Sequence, residues 1–231
     1  MSAENLALVR GVADTRSALR RWNSGRAAVL RPWLALSLLI AILLLCAIWA
    51  VAALTVPDST RLRIMGITAP ADLRDYGHVL FRNSLVLALH SLACVAGFIA
   101  GSSLPVVAAG HRGLWRRVHQ VAGPLAIGFV VCATAFSLVT QAYILGGDTA
   151  TIAAQLGIAP EQLLGVLALH ALPELTALFL PLAAWTIASR RGAWHELLAA
   201  TFVTTAIAIP VLLVAGAVEV WVTPRLLLGV L

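Results

Sequence analysis

The sequence predicts an all-α fold, a polytopic membrane bundle of five transmembrane helices, and three observations lead there. First, 61% of the 231 residues are hydrophobic and 11% are charged, with a mean hydropathy of +0.94; a soluble domain carries about 25% charged and about 45–50% apolar residues. Second, the apolar residues gather into long unbroken runs, where an outer-membrane barrel would alternate apolar and polar residues. Third, the 16 basic residues are all arginine and, Arg82 apart, fall outside the runs in a largely one-sided pattern. A cytosolic globular enzyme is excluded, because such a chain cannot cover a water-facing surface. The net charge of +6 reports membrane-flanking loops, since no basic run is interleaved with base-stacking aromatics, and no nucleic-acid partner is expected.

The chain opens with a basic amphipathic tail, residues 1–32. Leu6, Val9, Ala13, Leu19 and Trp22 are spaced mostly by three or four, while Arg10, Arg16, Arg20, Arg21, Arg26 and Arg31 occupy other faces. This pattern predicts a helix lying on the inner leaflet and attracted by anionic lipid. The first span follows at residues 33–56, Trp33–Val56. It is too long for the apolar core of a signal peptide, about 7–15 residues, and stays in the mature protein.

Four more runs reach the roughly 20 residues needed to cross a hydrocarbon core: Val79–Ser102, Val121–Leu145, Gln162–Ala188 and Leu197–Val222. The predicted loops are Pro57–His78, Ser103–Gln120, Gly146–Glu161 and Ser189–Glu196. Basic residues are retained on the cytoplasmic side. The tail, the loop with Arg112, Arg116 and Arg117 and the loop with Arg190 and Arg191 all fall on one side of a five-span chain. The opposite side receives Arg61, Arg63 and Arg74 balanced by Asp58, Asp72 and Asp75, then Asp148 and Glu161. The N-terminus is therefore expected inside and the C-terminus outside. Cys46, Cys94 and Cys132 fall within apolar runs and do not read as a disulfide framework.

The chain also matches itself. Val86-Leu-Ala-Leu-His90 returns as Val166-Leu-Ala-Leu-His170, and Arg112-Gly-Leu-Trp115 is echoed by Arg191-Gly-Ala-Trp194. Residues 79–145 and 162–222 then become two helical hairpins, parallel repeats related by an axis along the membrane normal. That relation is expected to bring His90 and His170 to equivalent depths.

Ionisable residues within a span cost about 2.5–3.5 kcal/mol or more near its centre, so they face the bundle interior and mark a candidate site. The polar intramembrane cluster so marked is Asn83, His90, Gln141, His170, Glu174 and Glu219, with Arg82 beside it. In the predicted topology it forms a wedge opening outward. Pro173 and Pro210 are expected to kink their spans and free carbonyls beside it.

Several uses of this cluster are open. The residues can simply hold helices together, Glu174 with His170 or His90, and Arg82 with Glu219. His90, Cys94, His170 and Glu174 are ligand types suited to zinc, with Glu219 as a base; the spacing carries no zincin motif. His90 and His170 are also chemically able to ligate haem, without a haem-attachment motif. Glu174, His170 and Glu219 can carry protons or ions. No Gly-x-Ser-x-Gly motif or phosphate loop is present, which disfavours nucleophilic catalysis.

The stretch Leu169-His-Ala-Leu-Pro-Glu-Leu-Thr-Ala177, the hairpin Arg190-Arg-Gly-Ala-Trp194 and the close Ala215-Gly-Ala-Val-Glu-Val-Trp-Val-Thr-Pro224 resemble the stage II sporulation protein M family of integral membrane proteins. The matching positions are Asn83, His170, Glu174, Glu219 and Pro224, and the resemblance covers roughly residues 79–224. Two departures stand out: Ala171 replaces the glycine that follows the histidine, and Gly110-His-Arg-Gly113 replaces an Asn-Gly.

The resemblance implies a non-enzymatic scaffold or partner in cell-envelope remodelling, or in peptide or bacteriocin export and self-protection, in a bacterial or archaeal cytoplasmic membrane. The rival expectation is an intramembrane site for metal-dependent hydrolysis or ion-coupled transport through His170, Glu174 and Glu219. Expected partners are membrane lipid and other membrane or envelope proteins, and an oligomer of the chain is compatible with the bundle.

Overall fold

The computed structural model describes residues 7–103 and 113–231. His111 and Arg112 lie outside the described residues, as do Leu6 and the side chains of Val9, Arg10, Arg116 and Arg117. The described chain is helical, with a single isolated β-bridge between Met65 and Ala69. In order it forms α1 (Ala7–Asn23), α2 (Arg26–Leu54), α3 (Leu73–Phe98) and a π-helical turn (Ile99–Ser103). There follow α4 (Leu114–Leu156), α5 (Pro160–Arg191), a 3-10 turn (Trp194–Glu196), α6 (Leu197–Ala217), a second π-helical turn (Val218–Val222) and α7 (Thr223–Leu228). Five helices are long and apolar enough to cross a membrane.

Two of the places where their ends differ from the sequence expectation have a clear local reason. The third helix starts at Leu73, not Val79, because Asp72 caps it. The Asp72 carboxylate accepts from the backbone N–H groups of Arg74 (2.8 Å) and Asp75 (3.0 Å), and Asp75 accepts in return from the Asp72 N–H at 3.2 Å. This is a capping box built from two aspartates. The fourth helix continues through the expected loop at Gly146 and ends at Leu156. Thr149 and Thr151 donate back to the carbonyls of Leu145 (2.6 Å) and Gly147 (3.0 Å), which removes their pull toward a turn. Gly157, with φ +71°, then closes the helix in a Schellman motif: its N–H reaches the Ala154 carbonyl at 3.2 Å, and the Ile158 N–H reaches the Ala153 carbonyl at 3.1 Å. The connection to α5 is therefore only three residues long, not sixteen. Gly192, with φ +66°, ends α5 in the same way.

Backbone proximity groups the chain into two units, and their boundary falls within each long helix. The first comprises Met1–Ser37, Leu87–Thr134 and Phe179–Ala208. Its core sets Trp33, Leu180, Ala184 and Ala200 against Trp22, Val29 and Leu30. Helix α1 docks in this unit through small residues. Ala18 and Gly11 are buried, and a Cβ added at Gly11 would stand 2.6 Å from Leu198 and 3.3 Å from Phe98. Trp22 meets Trp33 edge to face at 5.3 Å, and Arg21 pairs with Glu196 at 2.9 Å. The buried positions are thus Gly11 and Ala18, with Leu19 and Trp22 of the expected stripe half-buried and Ala13 exposed.

The second unit comprises Leu38–Val86, Ala135–Leu178 and Ile209–Leu231. Ala153, Leu163 and Leu227 form its core with Ile67, Ile158 and Val166 packed around them. The segment after α2 is pinned along the end of α4. The Asp58 N–H donates to the Thr151 hydroxyl at 3.2 Å, and the Gln155 amide exchanges two 3.0 Å hydrogen bonds with the backbone of Leu62. Arg63 then holds Asp75 through both nitrogens at 2.9 and 3.1 Å.

Candidate functional site

The contact of α3 with α6 in the second unit orders the site. Tyr76 donates its hydroxyl to the Leu213 carbonyl at 3.0 Å and its ring lies 5.2 Å from that of Trp221. Gly216 leaves room for Val79 and Leu80, since a Cβ there would meet both within 3.4 Å. Positions 76, 79, 80 and 83 share one helix face, so the same contact turns Asn83 inward, where it is 8% exposed.

Glu174 of α5 and Glu219 of the second π-helical turn meet Asn83 there. The groups acting on the Glu174 carboxylate are Glu219, Asn83 and Arg82, and Arg82 also acts on Glu219. Arg82 itself remains exposed. Two carboxylates, one amide and one guanidinium thus converge from three elements. Two of their atoms, Asn83 Nδ2 and Glu174 Oε2, are buried without a hydrogen-bond partner. Such orphaned atoms are uncommon in folded proteins and call for an explanation.

One helical turn away from Glu174, His170 is fixed differently. Its Nδ1 lies 2.9 Å from the Thr223 hydroxyl, with both residues buried. Thr223 did not emerge from the sequence reading, although it stands four residues after Glu219 and so close to its face. The second π-helical turn was also unforeseen. Helix α5 runs unbroken through Pro173 and α6 through Pro210, and the irregular backbone lies at Val218–Val222, around Glu219. Short π-helical turns of this kind recur at functional sites.

Asn83, His170, Glu174 and Glu219 therefore belong to one unit, joined by Arg82 and Thr223. Gln141 is in the same unit, but its amide donates to Ser137 on its own helix at 2.9 Å. His90 belongs to the first unit, where it is buried with its ring 5.5 Å from Phe179. Cys94 is there too, and its thiol donates to the Pro181 carbonyl at 3.2 Å.

Among the described residues no three His, Cys, Asp or Glu side chains form a group able to hold a metal ion. Of the expected zinc ligands, His90 and Cys94 belong to the first unit and His170 and Glu174 to the second. On the basic tail, Arg16, Arg20, Arg26 and Arg31 are exposed, and Arg21 is engaged by Glu196.

No family model, no curated protein and no solved structure matches the chain.

Proposed function

We propose that the chain is a non-enzymatic multi-pass component of a bacterial or archaeal cytoplasmic membrane, a scaffold or partner in cell-envelope remodelling or in peptide or bacteriocin export and self-protection. The supporting observation is the convergence, within one unit, of the residues on which the resemblance to the stage II sporulation protein M family rests. Asn83 and Glu219 both act on the Glu174 carboxylate, His170 bonds to Thr223, and the next residue, Pro224, sits against Gly66. The orphaned Asn83 amide and Glu174 carboxylate offer a donor and an acceptor to a polar group of a partner segment. In this reading the N-terminus is inside and the C-terminus outside, the hairpins of residues 79–145 and 162–222 are parallel repeats, and the exposed arginines of the tail meet anionic lipid.

Co-purification with the products of neighbouring envelope genes tests the proposal. His170→Ala is expected to lower folded yield and capture together, because it breaks the bond to Thr223. Glu174→Gln is expected to reduce capture at undiminished yield. Full capture by Glu174→Gln counts against it.

The adjacency of Glu174 and Glu219 favours a second reading, ion-coupled transport. Its mark is a proton or cation flux in proteoliposomes that Glu174→Gln abolishes with partner capture intact.

A further inference from the structure

A second site, independent of the intramembrane cluster, lies where the segment after α2 crosses the end of α4. A cleft of about 420 Å³ opens there, lined by Asp58, Ser59, Thr60, Arg61, Thr68 and Thr151 among others. Its volume falls within the roughly 300–1,000 Å³ of small-molecule sites, and its walls are richer in hydroxyls and charges than in apolar groups.

The cleft is built from two sets of groups with separate duties. The framework set is engaged within the protein: Thr151 accepts from the Asp58 N–H, Gln155 exchanges two hydrogen bonds with the backbone of Leu62, and the Thr68 hydroxyl is held by the backbone of Ile64. These bonds hold the segment in place without using its charged side chains. Asp58 shapes the turn through one oxygen only, Oδ1, which accepts from the Thr60 N–H at 2.9 Å and the Thr60 hydroxyl at 3.1 Å. The same bonds, the backbone one first, hold the Asp58 carboxyl below its ordinary value, so it is an anion at neutral pH. Arg61, three residues on, is exposed and has no hydrogen-bond or ion-pair partner among the described residues. It is also absent from the groups acting on Asp58. One wall therefore carries a fixed anion and a free guanidinium that do not neutralise each other.

We propose that this cleft binds a small zwitterion, a free amino acid or short peptide, with its ammonium on Asp58 and its carboxylate on Arg61. A guanidinium presents paired donors that match a carboxylate, and a carboxylate oxygen accepts from an ammonium. The hydroxyl of Ser59 supplies a neutral donor and acceptor for the amide between them. A simple anion leaves Asp58 facing it, and a simple cation leaves Arg61 facing it; a molecule carrying both charges satisfies both ends.

The test is calorimetric titration of the full-length protein in nanodiscs with alanyl-alanine, its N-acetylated form, its C-terminal amide and the doubly blocked dipeptide. Wild type is expected to bind alanyl-alanine, and blocking either end to weaken binding at least about tenfold, as for loss of a charge-assisted hydrogen bond. Arg61→Gln is expected to bind the acid and the amide alike, and Asp58→Asn, which keeps an oxygen for Thr60, to bind the free and acetylated amines alike. Absence of binding by wild type, equal binding of the doubly blocked dipeptide, or tighter binding of glucuronate than of any peptide overturns the proposal.

Discussion

The Nδ1 atom of His170 and the hydroxyl of Thr223 lie 2.9 Å apart with both residues buried, a polar contact that ties α5 to α7. Thr223→Val keeps the shape and removes the hydroxyl, leaving a buried ring nitrogen unpaired. A loss of about 1–3 kcal/mol is expected, and Thr223→Ser should recover most of it. Thermal unfolding in detergent measures both; equal midpoints for the valine and serine variants would show that the contact does not contribute.

Gly66 and Pro224 make a second tie in the same unit. Gly66 has φ +73°, and a Cβ there would stand 2.6 Å from the Pro224 Cβ. Gly66→Ala meets backbone strain and a clash with a rigid ring together, so it should destabilise by more than about 1 kcal/mol. Gly77→Ala serves as the control, since nothing lies within 4 Å of a Cβ at that position. The control should be neutral or better, because α3 is helical there.

Helix α1 distinguishes packing from charge. The Arg21–Glu196 pair is exposed at its arginine end, 50% against 26% for the glutamate, and such pairs contribute about 0–1 kcal/mol. Gly11 instead lies directly against Leu198 and Phe98. Gly11→Leu is therefore expected to release the helix, and Arg21→Ala is not. Hydrogen exchange over residues 11–23 reads the difference, with rapid exchange in Gly11→Leu and near-native protection in Arg21→Ala.

These contacts mark what the sequence could and could not convey. The five spans were legible because long apolar runs need only be counted against bilayer thickness. Helix ends were not. Leu73–His78 looked like loop because it is polar, yet Asp72 and Asp75 cap it; the spacing Asp-x-x-Asp was the available signal. Gly146-Gly-Asp-Thr149 also looked like loop, and it is helical where Gly146 packs closely against Val51 and Thr149 bonds back within the helix. Asn83, His90, Gln141, His170, Glu174 and Glu219 could be marked beforehand, because burial cost forces such groups inward. Thr223 was not, since a threonine carries no charge to betray a buried role.

Acid should loosen the capped segment before α3. Backbone hydrogen bonds, that of Asp75 foremost, hold the Asp72 carboxyl below its ordinary value of 3.8. A lowered folded-state value means that this contribution is fully present well above pH 3.8 and is lost as pH falls through the folded value. Asp58, lowered by the Thr60 bonds, behaves alike. Protection of the Arg74 and Asp75 amides is expected to hold at pH 6 and to fall below about pH 4, with Asp72→Asn reducing it at both. Protection that rises on acidification would contradict the capping account.

The last prediction sets the orphaned pair against the bonded one. Removing one partner of a made hydrogen bond leaves the other buried and unpaired, whereas replacing two unpaired polar groups by apolar ones of similar shape is close to neutral or stabilising. His170 and Thr223 are the first case. Asn83 Nδ2 and Glu174 Oε2 are the second, because neither atom lies within hydrogen-bond distance of a partner, the amide acting on the carboxylate only at longer range. The double substitution Asn83→Leu with Glu174→Met is therefore expected to leave the unfolding midpoint unchanged or raised, while it abolishes partner capture. Each single substitution should be less stable than the double, since it leaves one polar group facing an apolar one. If instead the double variant unfolds well below wild type, the polar group holds the helices together in its own right, and the proposal that it receives a partner loses its physical basis.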